Sequence, residues 1–333
     1  MIERTLIFAL AAFLTAAVTI CAAELPDDTA AGMKVKSRKL VFKADPKGLD
    51  WAARGSLTKT KTGRWIATYT QATQHGAIAP RNVVIHTSDD EGRTWSKPNC
   101  LPDGTTVQGA PLRAEHERIE PNDGGVLTCP NGDLLYISMN WEHIKGKKKP
   151  EKELTRQWRS TDNGASWKYE GPSPGIPAGV TYAHGKTVEG RSIYITALTD
   201  PSPPWAVVYR SDDNAHTWQK VSEYATREDD INETGIVFVD EATIMVVGRS
   251  FDEDVTKMRI SRDRGKTWGP MTDITKYVHV VQQPKLTKFP KEPGRNLPNR
   301  SRSDSGVQTA QLPVVHRRLW QDLEDEAGRR RLL

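Results

Sequence analysis

The sequence predicts an all-β fold, a β-propeller built from repeated four-stranded sheets, and three observations carry that prediction. An eight-residue turn motif occurs four times at blade-like spacing, and each copy follows the same pair of short apolar strands. No segment of similar length carries the 3.6-residue apolar period of an amphipathic helix.

The motif reads SDDEGRTW at 88–95, STDNGASW at 160–167, SDDNAHTW at 211–218 and SRDRGKTW at 261–268. The shared pattern is Ser-x-Asp-x-(Gly/Ala)-x-(Thr/Ser)-Trp. A turn aspartate accepts backbone N–H groups from its own loop. The glycine supplies a left-handed backbone position that other residues resist. Trp95, Trp167, Trp218 and Trp268 give each repeat a large apolar anchor. Ala215 stands where the other copies have glycine, so the third turn is expected to be the most strained or distorted.

Upstream of each octet lie two runs rich in Ile, Val and Tyr, broken by Gly, Asn and Asp, which read as antiparallel strands. The first of each pair is predicted at 64–69, 133–138, 191–196 and 242–247, the second at 82–87, 155–159, 206–210 and 256–260. The four octet tryptophans are 72, 51 and 50 residues apart. A spacing of about 50 residues suits one four-stranded blade. The longer first gap is assigned to a loop around 141–153, whose lysine run at 145–149 reads as a solvated excursion.

The ends of the chain read differently. Arg4 precedes an apolar run at 6–20, followed by Cys21-Ala22-Ala23 and then by Glu24-Leu25-Pro26. This is the layout of a signal peptide over residues 1–23, so an exported protein, secreted or periplasmic, without stable membrane insertion after cleavage is expected. The propeller is predicted over 34–290 and an irregular basic tail over 291–333. The formal charge of +5 includes a net +3 from that tail, nine Lys/Arg against six Asp/Glu, so the excess does not form a face for nucleic acid. Beyond the leader, Cys100 and Cys129 are too few for a disulfide framework, and no Cys/His cluster has metal-ligand spacing. No metal or cofactor is predicted, and the eight histidines are scattered singly.

The four octets closely resemble the Asp-box, or bacterial neuraminidase, repeats of the sialidase-like six-bladed propellers, over roughly residues 40–286. The resemblance implies that the boxes sit on blade-edge turns away from the active site. Asp90, Asp162, Asp213 and Asp263 are then structural, not catalytic. It also implies a carbohydrate or glycoconjugate substrate whose carboxylate is held by an arginine trio, a Tyr nucleophile assisted by Glu, and an Asp acid/base. Arginine offers a permanent charge and a planar fork that matches a carboxylate. A neutral tyrosine beside a carboxylate becomes nucleophilic without setting an anion against an anionic sugar.

Carried over position by position, Arg54 in Arg54-Gly55-Ser56-Leu57 matches the first carboxylate arginine, with glycine replacing the usual isoleucine and no proline. In the stretch from Asn232-Glu233-Thr234-Gly235 to Gly248-Arg249, Glu233 matches the residue that assists the nucleophile and Arg249 the second carboxylate ligand. The departures are as informative. The segment 71–81, where the acid/base Asp belongs, has no acidic residue, and only His75 there could donate a proton. The third arginine and the tyrosine belong to later blades. Gln283-Pro284-Lys285-Leu286 reads as the start of another blade, after which the pattern is lost. Tyr277, the nearest tyrosine, has no motif. The last blade or blades are therefore expected to be missing. Open strand edges would then lower stability unless the tail or a partner covers them. Two functions stay open: an exo-acting sialidase-like glycoside hydrolase whose activity has been retained or lost, and a noncatalytic propeller that binds glycans or protein.

Overall fold

The computed structural model describes residues 51–72, 81–102, 106–107, 110–111, 116–144, 152–199, 205–250, 254–278, 280–281, 284–288 and 307–309. The segment read as a signal peptide, His75, the lysine run at 145–149 and most of the tail lie outside them.

Four antiparallel four-stranded sheets follow one another along the chain as the blades of a β-propeller. The first holds β1 (Trp51–Lys59), β2 (Trp65–Ala72), β3 (Arg81–Ser88) and β4 (Asn99–Cys100). A small hairpin, β5 (Thr106–Val107) with β6 (Ala110–Pro111), leads to the second: β7 (His116–Thr128), β8 (Leu134–Ile144), β9 (Lys152–Ser160) and β10 (Lys168–Pro172). The third holds β11 (Val180–Glu189), β12 (Ser192–Thr199), β13 (Ala206–Ser211) and β14 (Gln219–Ala225). The fourth holds β15 (Asn232–Phe238), β16 (Ile244–Arg249), β17 (Thr256–Ser261) and β18 (Thr272–Asp273). A one-turn helix α1 (Thr275–Val278), β19 (Leu286–Lys288) and β20 (Val307–Thr309) complete the described elements.

The central strands of each blade are apolar on both faces because each sheet is packed between neighbours. In β8, Leu134 and Tyr136 join Ile66, Val83 and Ile85 of the first blade. The alternate residues Leu135 and Ile137 join Ile193, Ile195 and Val207 of the third. The alternation repeats in β16, where Ile244 and Val246 face Tyr194 and Val208, and Met245 and Val247 face the other way. Side chains of successive strand residues point to opposite faces, so a sheet buried on both sides needs the near-continuous apolar runs seen in the sequence. On its far side the fourth blade is covered by Ile274, Val278 and Val281, with Tyr277 and Leu286 packed against them.

Two expectations are corrected. The stretch around 141–153 is not simply a loop: β8 and β9 run on as a long hairpin, with Trp141 paired to Glu153 and Glu142 to Lys152. The extra length between the first two octets is spent on this hairpin, on the 13-residue β7 and on the β5–β6 hairpin. The third turn is strained at Ala215, as expected of a non-glycine residue in the left-handed region, but it is not distorted. Ala215 adopts φ 66°, close to the glycine-like conformation of its counterparts, and its methyl is fully buried in the core between the second and third blades. β20 pairs antiparallel with β19.

All four octets close the same way. In the third, the Ser211 hydroxyl donates to Asp213 Oδ1 at 2.7 Å and accepts the Ala215 N–H at 2.8 Å. The Thr217 N–H donates to Asp213 Oδ1 at 2.9 Å and its hydroxyl to Oδ2 at 2.6 Å. Asp90, Asp162 and Asp263 are bound alike by Thr94, Ser166 and Thr267. The turns also stitch each blade to the one before it. Gln157 of β9 donates to the Ala215 carbonyl at 2.8 Å and accepts the Trp218 indole N–H at 3.2 Å. In the next blade the Trp268 indole donates to Ser222 of β14 at 2.9 Å.

These hydrogen bonds set an acid limit. The Ser166 hydroxyl and amide hold Asp162 at about 2, and those of Thr267 do the same for Asp263. Burial opposes the effect at Asp213, but its Thr217 contacts prevail and leave it at about 2. The unfolded carboxyl titrates near 3.9, so the unfolded chain binds protons first. The stability these groups contribute is fully present above about pH 5 and is lost as pH falls through 4 toward 2. A urea midpoint that stays constant from pH 5 to 2.5 would contradict this.

Candidate functional site

Each blade's first strand lies beside its counterpart in the next blade, and each carries a bulge. Register shifts occur between Ala53 and Ser56 in β1, Pro121 and Gly124 in β7, Tyr182 and Lys186 in β11, and Asn232 and Gly235 in β15. Counting back two residues from where register resumes gives Arg54, Asn122, His184 and Glu233. Four chemically different residues thus occupy one structural position, once per blade. Bulges re-aim side chains and recur beside functional sites. His184 and Glu233 take left-handed conformations, φ 74° and 47°, that non-glycine residues adopt at a cost.

A buried network between the third and fourth blades ties the β11 and β15 bulges together. The Gly185 N–H donates to Thr196 Oγ1 at 3.2 Å, and the Thr196 hydroxyl donates to the Thr234 carbonyl at 3.3 Å. Thr234 Oγ1 lies 2.9 Å from the Tyr224 hydroxyl. Thr196, Tyr224 and Thr234 are all fully buried, where satisfied polar contacts specify one arrangement. The backbone N–H of Glu233 donates to its neighbour's Asn232 Oδ1 at 2.7 Å.

Sequence-predicted residues meet here. Asn232 pairs with Arg249 across β15 and β16, and Glu233 Oε2 lies 3.0 Å from Arg249 Nε, an ion pair whose N–H does not point along the hydrogen-bond line. The pair is neither sealed nor fully solvated, with side chains 18% and 29% exposed for Glu233 and Arg249. A guanidinium oriented by one carboxylate is suited to receive a second one from a ligand. Arg54 holds the equivalent bulge position on β1.

The remaining singled-out residues fall elsewhere. The octet aspartates spend their carboxylate oxygens inside their own turns. Tyr277 packs on the core of the fourth blade. Cys100 and Cys129 are both free, and burial pushes the Cys129 thiol up to about 12. His86 is structural: its Nδ1–H donates to the Ser96 carbonyl at 2.9 Å and its ring stacks on Tyr69 at 5.9 Å.

Two residues carry no sequence motif. His184 is nearly buried, edge-on to the Tyr182 ring at 5.9 Å. It lines a cavity of about 430 Å3 bounded by residues of β1, β7, β11, β15 and the segment 284–286, with Lys186 also in the lining. A signal for the bulges was available: a glycine follows within two residues of each, at Gly55, Gly124, Gly185 and Gly235. At Gly185 a side chain would collide with Thr196 and stand 2.7 Å from the Thr234 carbonyl. At Gly235 it would strike the Pro284 carbonyl.

No family model matches the sequence, and a search of curated proteins finds no match. Solved structures do resemble it. A Hadza microbial sialidase aligns at TM-score 0.54 and 17% identity over 72% of this chain and 50% of its own. The NanB sialidase from Streptococcus pneumoniae aligns at TM-score 0.59 and 12% identity over 85% of this chain and 60% of its own. The intramolecular trans-sialidase from Ruminococcus gnavus aligns at TM-score 0.59 and 11% identity, over 76% and 77%. The chain therefore spans only half to three-fifths of the first two structures. At such identities the likeness defines the fold: this is an all-β chain of the sialidase-like propeller class. Four four-stranded blades stand among the described residues.

Proposed function

We propose that the chain is an exported, sialidase-like carbohydrate-active propeller acting on terminal acidic sugars, with its octets as Asp-box repeats of a six-bladed family. The observation that carries this reading is the Glu233–Arg249 ion pair at the bulge end of the fourth inner strand. In it Arg249, together with Arg54 from the first blade, would hold the sugar carboxylate. Glu233 would raise the nucleophilicity of the attacking group. A fixed guanidinium aimed at an anion supplies orientation and charge complementarity without reorganising during the reaction.

A fluorogenic sialoside tested beside neutral glycosides decides the matter. Wild type is expected to turn over the sialoside alone. Glu233→Ala and Arg249→Ala should each lower kcat/KM by about 100-fold or more, the range for removing a preorganised charged contact. Turnover that survives both substitutions, or that is equal on neutral glycosides, sinks the reading.

A noncatalytic glycan-binding propeller is the second reading, favoured by the absence of any Asp or Glu from 71–81 and by the packed position of Tyr277. Sialoside binding that depends on Arg249 but proceeds without turnover selects it.

A further inference from the structure

The cavity bounded by the inner strands carries basic side chains among apolar and neutral ones. Its lining includes Lys186, Lys285 and His184 but no Asp or Glu. Lys186 resumes the β11 register directly after the bulge, opposite Ile195. Its ammonium reaches across to β7, where it fills the space a side chain on Gly125 would need, with Ser56 of β1 beside the same spot. The ring of Tyr182 lies 6.0 Å from Nζ, at the outer limit of a cation–π contact. Among the described residues no hydrogen bond or ion pair reaches Lys186. Lys285, on the chain leading into β19, adds a repelling charge.

Lys186 is half-buried, an ammonium partly withdrawn from water without a partner carries a cost, and a second one nearby raises it. Burial first, and Lys285 second, push Lys186 well below the ordinary lysine range. A methionine of similar length would fill the same space without that penalty. The two like charges are therefore unfavourable side by side, and an anion seated in the cavity would offset them. We propose that this cavity is a binding site for one small oxyanion, a sulfate, phosphate or carboxylate group, held by Lys186 and Lys285 with Ser56 as a neutral donor. The site lies along the inner strands and reaches the bulges at Gly55 and His184, and Arg54, Glu233 and Arg249 are not among its lining. It does not depend on the hydrolase reading.

Thermal melts of the full chain in potassium sulfate, phosphate or chloride at matched ionic strength test this, with glucuronate against glucose as a further pair. Sulfate also stabilises proteins generally by exclusion from their surface, so the decisive quantity is the difference between variants. Wild type is expected to melt several degrees higher in millimolar oxyanion than in chloride. Lys186→Met should melt higher than wild type in chloride and lose the oxyanion increment. Lys285→Met should reduce the increment, and Glu233→Ala should retain it whether or not the chain hydrolyses sialosides. A larger shift with glucuronate than with the inorganic ions would identify the anion as sugar-borne; the reverse order would identify it as free. Equal increments in wild type and Lys186→Met, or none in wild type, would overturn the site.

Discussion

Trp218→Ala is expected to destabilise the chain by about 3–5 kcal/mol, the usual cost of truncating a buried tryptophan, whereas Trp95→Ala should cost markedly less. The two occupy the same place in their octets but not in the fold. Trp218 is 3% exposed and packs between the second and third blades among Leu127, Ile137, Val180 and Tyr209. Its indole N–H is one half of a reciprocal link, because the Gln157 amide that accepts it also donates to the Ala215 carbonyl. Truncation opens a cavity and strands a buried amide oxygen, and the second effect adds to the first. Trp95 is half-buried and belongs to the first described blade, so no earlier blade among the described residues receives it. Urea denaturation of both variants checks the contrast. Equal losses would mean that the octet tryptophans act within their own turns rather than between blades.

The octets are legible in the sequence because their chemistry is local: Ser, Asp and Thr close each turn within eight residues. The strands before them are legible because burial on two faces leaves long apolar runs. Ala215 misleads because the glycine rule concerns backbone freedom, while here a methyl facing the core offsets part of the left-handed cost. The β8–β9 hairpin misleads because its outer part is charged, and cross-strand pairing such as Trp141 with Glu153 leaves no trace in a one-strand window.

The site divides along the same line. Glu233 and Arg249 are found by resemblance, 16 residues apart in sequence, and the β15–β16 register sets them side by side. His184 and Lys186 have no motif. Their significance comes from a bulge and a cavity, both products of how inner strands from different blades meet. Only the recurrent glycines hint at the bulges, and glycine in a strand marks a tight bend or a close backbone approach just as readily.

Gly185→Ala is expected to cost about 2–4 kcal/mol, combining overpacking with the loss of one buried hydrogen bond. Gly185 does not need glycine for its backbone angles, since it lies outside the left-handed region that His184 occupies. It needs glycine for space. The new methyl would run into the Thr196 hydroxyl and stand 2.7 Å from the Thr234 carbonyl and 3.1 Å from Ile236 Cγ2, all in the buried seam between the third and fourth blades. Relief requires that β11 or β15 shift, and Thr234 is the residue next to Glu233. A double variant isolates the steric contribution. Thr196→Ala alone removes a donor to Thr234 and an acceptor for Gly185, so it should be destabilising. Combined with Gly185→Ala it also removes the atom that the methyl strikes. The double variant should therefore lose less than the two single losses added together, by about 1 kcal/mol or more, the coupling typical of residues in contact. Strict additivity would show that the methyl is accommodated elsewhere. In that case the close approach of the two bulges would not be what holds Glu233 in its left-handed turn.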